Sequence, residues 1–178
     1  MKTSSALLLA CALALPSLAQ DAITNTAPSA ASNQVAQLVF LTLPASAATV
    51  SAPLVLTNGC ISQPEQTELA GGGRAIFSFT ITNAGNYLLQ ALVNAPGEDA
   101  NSFYVNVDAQ PEDPLMIWDF DVTNGFEERT VSWRGNGTPE SDEISPKRFN
   151  LAAGEHKLII VGREPAQLKS VALRPAAN

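Results

Sequence analysis

Ala75-Ile76-Phe77-Ser78-Phe79-Thr80-Ile81-Thr82, the turn Asn83-Ala84-Gly85-Asn86, and Tyr87-Leu88-Leu89-Gln90-Ala91-Leu92-Val93-Asn94 decide the fold class of this chain. Ala75, Phe77, Phe79 and Ile81 fall on alternate positions, and so do Tyr87, Leu89, Ala91 and Val93. Successive side chains of a strand point to opposite faces, so a period of two gathers each set on one buried face. Asn and Gly between the runs supply turn chemistry. Ala95-Pro96-Gly97 breaks the second run. The pattern predicts strand, turn, strand.

The same rhythm continues in both directions. Asn101 to Asp108 sets Phe103, Val105 and Val107 on one face and Tyr104, Asn106 and Asp108 on the other. Further strands are expected at Leu115 to Val122, Glu128 to Trp133, Phe149 to Leu151, His156 to Val161 and Leu168 to Leu173. About eight or nine strands at regular spacing, with turn residues between them, is the pattern of a β-sandwich or jelly roll. The expected fold class is therefore all-β, and no segment keeps a helical period.

Upstream the composition changes. Lys2, the apolar run Ala6 to Leu15 and the small residues of Ser17-Leu18-Ala19 form an export signal, so residues 1–19 are expected to be removed and the mature chain to start at Gln20. The run is too short to span a bilayer. Lipid attachment at Cys11 fits less well, because Leu9 stands two residues before it and the apolar run continues past it. The expected location is secreted or periplasmic. Residues 20–48 read as a flexible leader rich in Ala, Ser, Thr and Asn. Within it, Gln34 to Leu43 is apolar and reads as a short helix or an extra strand. The sandwich is expected over residues 49–175.

Charge and cysteine usage narrow the function classes. The net charge is -7, and losing Lys2 makes it -8. Such a surface argues against nucleic acid and anionic membranes as partners. No later apolar run is long enough for membrane insertion. Cys11 leaves with the signal, so Cys60 has no intramolecular disulfide partner. Its neighbours Val55, Gly59 and Ile61 favour burial; the alternative is pairing with another chain.

Little in the chain suggests catalysis. A Gly-x-Ser-x-Gly motif is absent, and His156, the single histidine, starts an expected strand after a Gly turn. A structural role at a strand edge suits it better than general-base work. One His and one mature Cys do not make a transition-metal site. Asp119-Phe120-Asp121 with Thr123-Asn124-Gly125 half-resembles a calcium loop, but Thr130 stands where a bidentate Glu is needed. Glu112, Asp113, Asp119, Asp121, Glu127 and Glu128 offer carboxylates for glycoside hydrolysis, and sequence alone pairs none of them across a cleft.

Aromatic and planar polar residues are the live candidates. Flat rings stack on sugars, and amide or guanidinium groups hold hydroxyls. Trp118 shares a face with Met116 and Phe120, and Trp133 shares one with Val131, so each is either core or platform. Tyr104 is either exposed or covered by another segment. Asn101, Arg134 and Asn136 stand at strand ends, where binding loops emerge. Arg134 offers a guanidinium fork to hydroxyls or to a uronic carboxylate.

Several of these motifs follow one familiar order: Ala84 to Tyr87, Ala91 to Pro96, Asn101 to Asp108, Val131-Ser132-Trp133, Leu151 to Leu158, and Leu168 to Leu173. Over residues 49–174 the chain resembles the galactose-binding-like jelly rolls of carbohydrate-binding modules, families six and thirty-five. The resemblance implies a non-catalytic module that grips a glycan in loops at one end of a sandwich. It assigns the stacking ring to Trp133 and a ligand-contacting polar residue to the loop Arg163-Glu164-Pro165-Ala166-Gln167. Tyr104 and Trp118 have no clear family counterpart. The resemblance also implies a structural calcium, held by an acidic pair in the first strand and an Asp in the last. Here Leu54-Val55-Leu56 and Lys169 stand at those places, and Gln167 replaces the last loop's usual Asn.

The preferred expectation is an exported, non-catalytic module that binds a polysaccharide, with no cofactor required. Its ligand residues are Asn101, Tyr104, Trp118, Trp133, Arg134, Asn136, Arg163 and Glu164. The alternatives are a structural or adhesive protein with a protein partner, and a small glycan-active enzyme with two carboxylates about 5 to 9 Å apart beside the aromatics.

Overall fold

The computed structural model describes residues 41–134 and 145–177. The expected export signal, residues 20–40 of the leader and Asn136 lie outside the described residues.

Twelve strands are described. β1 (Leu41–Pro44) leads through a 3-10 turn (Ala45–Ala47) to β2 (Thr49–Ser51), β3 (Val55–Thr57) and β4 (Cys60–Ser62). Then come the long β5 (Arg74–Ile81) and β6 (Gly85–Asn94), followed by β7 (Ser102–Val107), β8 (Ile117–Asp119) and β9 (Glu127–Thr130). β10 (Arg148–Leu151), β11 (Gly154–Gly162) and β12 (Gln167–Pro175) close the domain. One sheet has seven strands in the order β10-β6-β12-β4-β3, with β1 also on β12 and β9 also on β6. The other has five, in the order β2-β5-β11-β7-β8. All pairings are antiparallel. The molecule is the expected all-β sandwich, a jelly roll.

The alternating runs build its core. Ala75, Phe77, Phe79 and Ile81 of β5 are buried together with Tyr87, Leu89, Ala91 and Val93 of β6. These two strands lie in different sheets, so the turn between them crosses the sandwich instead of closing a hairpin. Each burial of a Phe or Leu side chain contributes about 1.5–3 kcal/mol, and both sheets supply such residues to one cluster.

A second, smaller cluster lies on the other face of the five-stranded sheet. Tyr104, Ile117, Ile159 and Val161 pack there with Leu69. Residues 63–73 form a strap over them. Thr67 N–H donates to Arg163 O (2.8 Å), Thr67 Oγ1 to Gly162 O (3.1 Å), and Gly162 N–H to Gly73 O (2.9 Å). The approach is tightest at Gly72, where a Cβ would run into the backbone carbonyl of Gly162; a Cβ on Gly162 would meet the end of the Gln63 side chain. Because the strap covers its outer face, β11 is buried on both sides, and its Leu158-Ile159-Ile160-Val161 run is continuously apolar.

Three expectations change. The sandwich does not start at Thr49: Leu41–Pro44 is a strand on β12, so the apolar end of the supposed leader belongs to the sheet. The expected strand from Leu115 to Val122 shrinks to Ile117–Asp119, and both of its outer residues, Leu115 and Val122, are exposed. Cys60 is half-buried, because β4 lies next to the outermost strand of its sheet.

Candidate functional site

One end of the sandwich, here called the apex, collects the loops after β6, β8 and β11. β6 ends at Asn94, β8 at Asp119 and β11 at Gly162, while β7 starts at Ser102. The loops are bonded to one another. Thr123 N–H donates to Ala95 O (2.9 Å), and Ala95 N–H donates to Thr123 Oγ1 (2.8 Å). Phe120 N–H donates to Asn101 O (3.0 Å). Asn94 Nδ2 donates to Gln167 Oε1 (3.1 Å), which joins the last loop to the first. Such reciprocal bonds satisfy buried polar groups and fix the loops relative to the sheets.

Asp119 is the hub. Arg134 donates from Nε and Nη2 to its two carboxylate oxygens, at 2.5 and 2.7 Å. This fork-to-fork geometry is the strong, directional form of ion pair. Arg163 Nη1 lies 3.9 Å from Asp119 Oδ1, donates to Ser102 Oγ (2.6 Å), and bonds Glu164 Oε1. Glu164 is buried, and its other oxygen accepts the Asn101 N–H at 3.0 Å. The structure thus brings Asn101, Arg134, Arg163 and Glu164 together around a residue that sequence reading had not placed among them.

Beside this network opens a cleft of about 550 Å³. Phe120 and Val122 give it an apolar side; Asn101, Thr130 and Ser132 give it neutral polar groups. Glu98, Asp119, Asp121 and Arg129 supply its charges. Arg129 is itself held by Glu127 (2.8 Å). The Asn124 N–H and Arg129 together keep the Glu127 carboxyl below the usual carboxylate range.

Two of the aromatic candidates are corrected. Trp118 is wholly buried, packs on Phe103 and Phe120, and donates its indole N–H to Thr130 O (3.1 Å). It is core because its face is shared with Phe120, which also packs inward. Tyr104 is buried under the strap with Ile117 and Leu69. Burial there, with Asp113 and Glu68 nearby, pushes its phenol up, and Arg163 pulls the other way. Trp133 is half-buried against the core. Its N–H donates to Val105 O (2.9 Å), its ring meets Phe149 edge-on, and Lys147 Nζ stands 4.1 Å from the ring centroid. Asn136 lies outside the described residues.

Sequence reading missed Glu98, Val122, Arg129, Thr130 and Ser132 as cleft residues, and weighed Asp121 only as a metal or catalytic acid. They come from three separate segments, and no local pattern joins them.

The opposite end, the base, holds His156. Its Nδ1 meets Asp108 Oδ2 at 2.6 Å and its Nε2 meets Ala152 O at 2.8 Å, with the ring stacked on Phe79. Burial works against the charged ring, but the bonds to Asp108 and Ala152 outweigh it and raise the His156 pKa. Burial likewise opposes ionised Asp108, and the bonds from His156 and the Lys157 N–H outweigh it and hold that carboxyl below its usual range. With both ring nitrogens committed, His156 has none left to activate a nucleophile.

Metal donors are sparse. Among the described residues, no group of three or more His, Cys, Asp or Glu is arranged to hold a metal ion. The residues do not fit the calcium implied by the resemblance: β3 carries no carboxylate, and Lys169 lies over the Phe126 ring at 5.2 Å. Among the described residues no helix is long and apolar enough to cross a membrane.

Solved structures share this fold. A family 35 carbohydrate-binding module from Clostridium thermocellum superposes with a TM-score of 0.55 at 12% identity, covering 78% of this chain and 99% of that one. The fold is that of the family 6 and 35 carbohydrate-binding modules. The C-terminal family 6 module of a marine laminarinase from Zobellia galactanivorans matches at 0.52 and 14% identity, over 76% of this chain and 99% of the module. A Podospora anserina mannanase that carries a family 35 module matches at 0.54 and 16% identity; 78% of this chain corresponds to 28% of that enzyme. No protein-family model and no curated protein matches the sequence. At these identities the module fold is shared, and a fold hosts many functions.

Proposed function

We propose that this domain is a non-catalytic module that binds carbohydrate in the apical cleft and that the chain is exported. The observation that carries this reading is the mixed chemistry of the cleft. A pyranose presents apolar C–H faces and a rim of hydroxyls. Exposed Val122, beside the edge of the largely buried Phe120, offers the first a surface, while Asn101, Thr130 and the carboxylates offer the second hydrogen-bond partners. The module fold supports the same reading by analogy. Hydrolysis has less support, because the Arg134 fork engages both Asp119 oxygens and leaves neither directed at a substrate. Of the three aromatic candidates, Trp133 alone keeps exposed surface, so ring stacking falls to it and requires Lys147 to swing aside. Affinity is expected to be weak, since a shallow site offsets little of the ordering cost.

The test is a glycan array on the exported protein, beside Asp121→Ala and Trp133→Ala variants. Binding lost in Asp121→Ala supports the cleft; binding lost only in Trp133→Ala moves the site to the ring. A folded protein that binds no glycan would sink the proposal. A second reading, contact with a protein partner, is favoured by Val55 and Leu56, which are exposed on the outermost strand β3.

A further inference from the structure

We infer that the apical cleft accepts an uncharged glycan and rejects one bearing uronate carboxylates; this rests on the glycan-binding reading above. The argument is the state of the arginines. Three guanidinium groups stand at or beside the cleft, and each already has a carboxylate of its own. Arg134 spends Nε and Nη2 on the two oxygens of Asp119, at 2.5 and 2.7 Å. Arg163 is bonded to Glu164 and Ser102. Arg129 is paired with Glu127 at 2.8 Å and also bonds Glu128 O.

Two cleft carboxylates remain. Glu98 and Asp121 line the opening, are exposed, and make no ion pair with another described residue. An anion entering the cleft therefore meets two carboxylates without an ion pair and, among the described residues, no guanidinium that lacks a carboxylate partner. Like charges at contact distance repel even where solvent screens them. A neutral sugar meets the same groups differently. Ionised carboxylates are strong acceptors for hydroxyl protons, and two of them beside Thr130 and Ser132 suit a ring edge rich in O–H donors. The fork that sequence reading offered to a uronic carboxylate is thus engaged within the protein.

The experiment uses paired probes that differ only in charge: soluble galactan, mannan and glucan, each beside the same polymer oxidised at C6 to the carboxylate. Affinity electrophoresis of the full chain reads both arms. At low salt the oxidised member of whichever pair binds is expected to be at least about tenfold weaker. Raising the salt toward 1 M, where the screening length is about 3 Å, should narrow that gap. In a Glu98→Gln, Asp121→Asn variant the ratio of oxidised to neutral affinity should rise toward one. Oxidised polymer bound as tightly as neutral, or a ratio unmoved in the variant, would overturn the inference while leaving glycan binding in place. Binding to neither arm, by protein with a native near-ultraviolet spectrum, would overturn both.

Discussion

The two ends of the sandwich carry clefts of the same volume, about 550 Å³ each, and similar kinds of side chain. In the basal one the acid–base pair is closed on itself, with both His156 nitrogens and both Asp108 oxygens bonded within the protein, while exposed Ser78, Thr80, Glu155 and Lys157 complete the walls. The apical one also spends its arginines internally, yet Glu98, Asp121, Val122 and Thr130 remain on its walls. Size does not separate a clasp from a site. What separates them is the character of what is left over: Glu155 beside Lys157 at the base, and two carboxylates beside exposed Val122 at the apex.

The largest expected effect tests whether the apical floor is core. Trp118→Ala should lower the free energy of unfolding by about 3–5 kcal/mol, read by urea titration. A loss under about 1 kcal/mol would mean that the ring is available surface after all. Next comes Glu164→Ala. It strips the Asn101 N–H and Arg163 of a buried partner, and should cost about 2–3 kcal/mol and weaken glycan binding by loosening the loop. Unchanged binding would separate the network from the cleft.

The basal pair gives the smallest effect, below about 1 kcal/mol because Asp108 is well exposed. Its pH dependence has a definite sign. His156 has a raised pKa in the folded state, so its contribution is full below 6.5 and fades as pH climbs through the raised value. Asp108 has a lowered one, so its contribution is full above 3.8 and fades as pH falls through the lowered value. The stability difference between wild type and His156→Gln should therefore be larger at pH 5.5 than at pH 9, with glycan binding equal in both proteins. A difference that grows toward pH 9, or a variant that loses glycan, would erase the distinction between clasp and site.

Local pattern was legible, and long-range partnership was not. The alternation over Ala75–Ile81 and Tyr87–Val93 marks which side chains go inside, because inward direction is set by strand periodicity. It does not say that β5 and β6 join different sheets. Asn58-Gly59 is a strong hairpin signal, and it does turn β3 into β4 with φ of 53° and 76°, although strands this short on either side carry little alternation. The sequence leaves Tyr104 either exposed or covered, because its cover, the strap around Leu69, is distant in sequence. Asn101, Arg163 and Glu164 converge because residues flanking the apical ends of β7 and β11 share an end of the sandwich; Arg134 follows the opposite end of β9 and joins them through Asp119. That Asp119 would occupy the Arg134 fork was hidden, since it depends on the β8 register opposite Ser102.

The small strand β1 has one more consequence. It runs antiparallel to β12, with Leu41 opposite Leu173, so the chain enters at the base. The far end leaves from the same place: Ala176 N–H bonds Asn86 O, and Arg148 bonds Ala177 O. Were the domain tethered through either terminus, its apical rim would face away from the point of attachment.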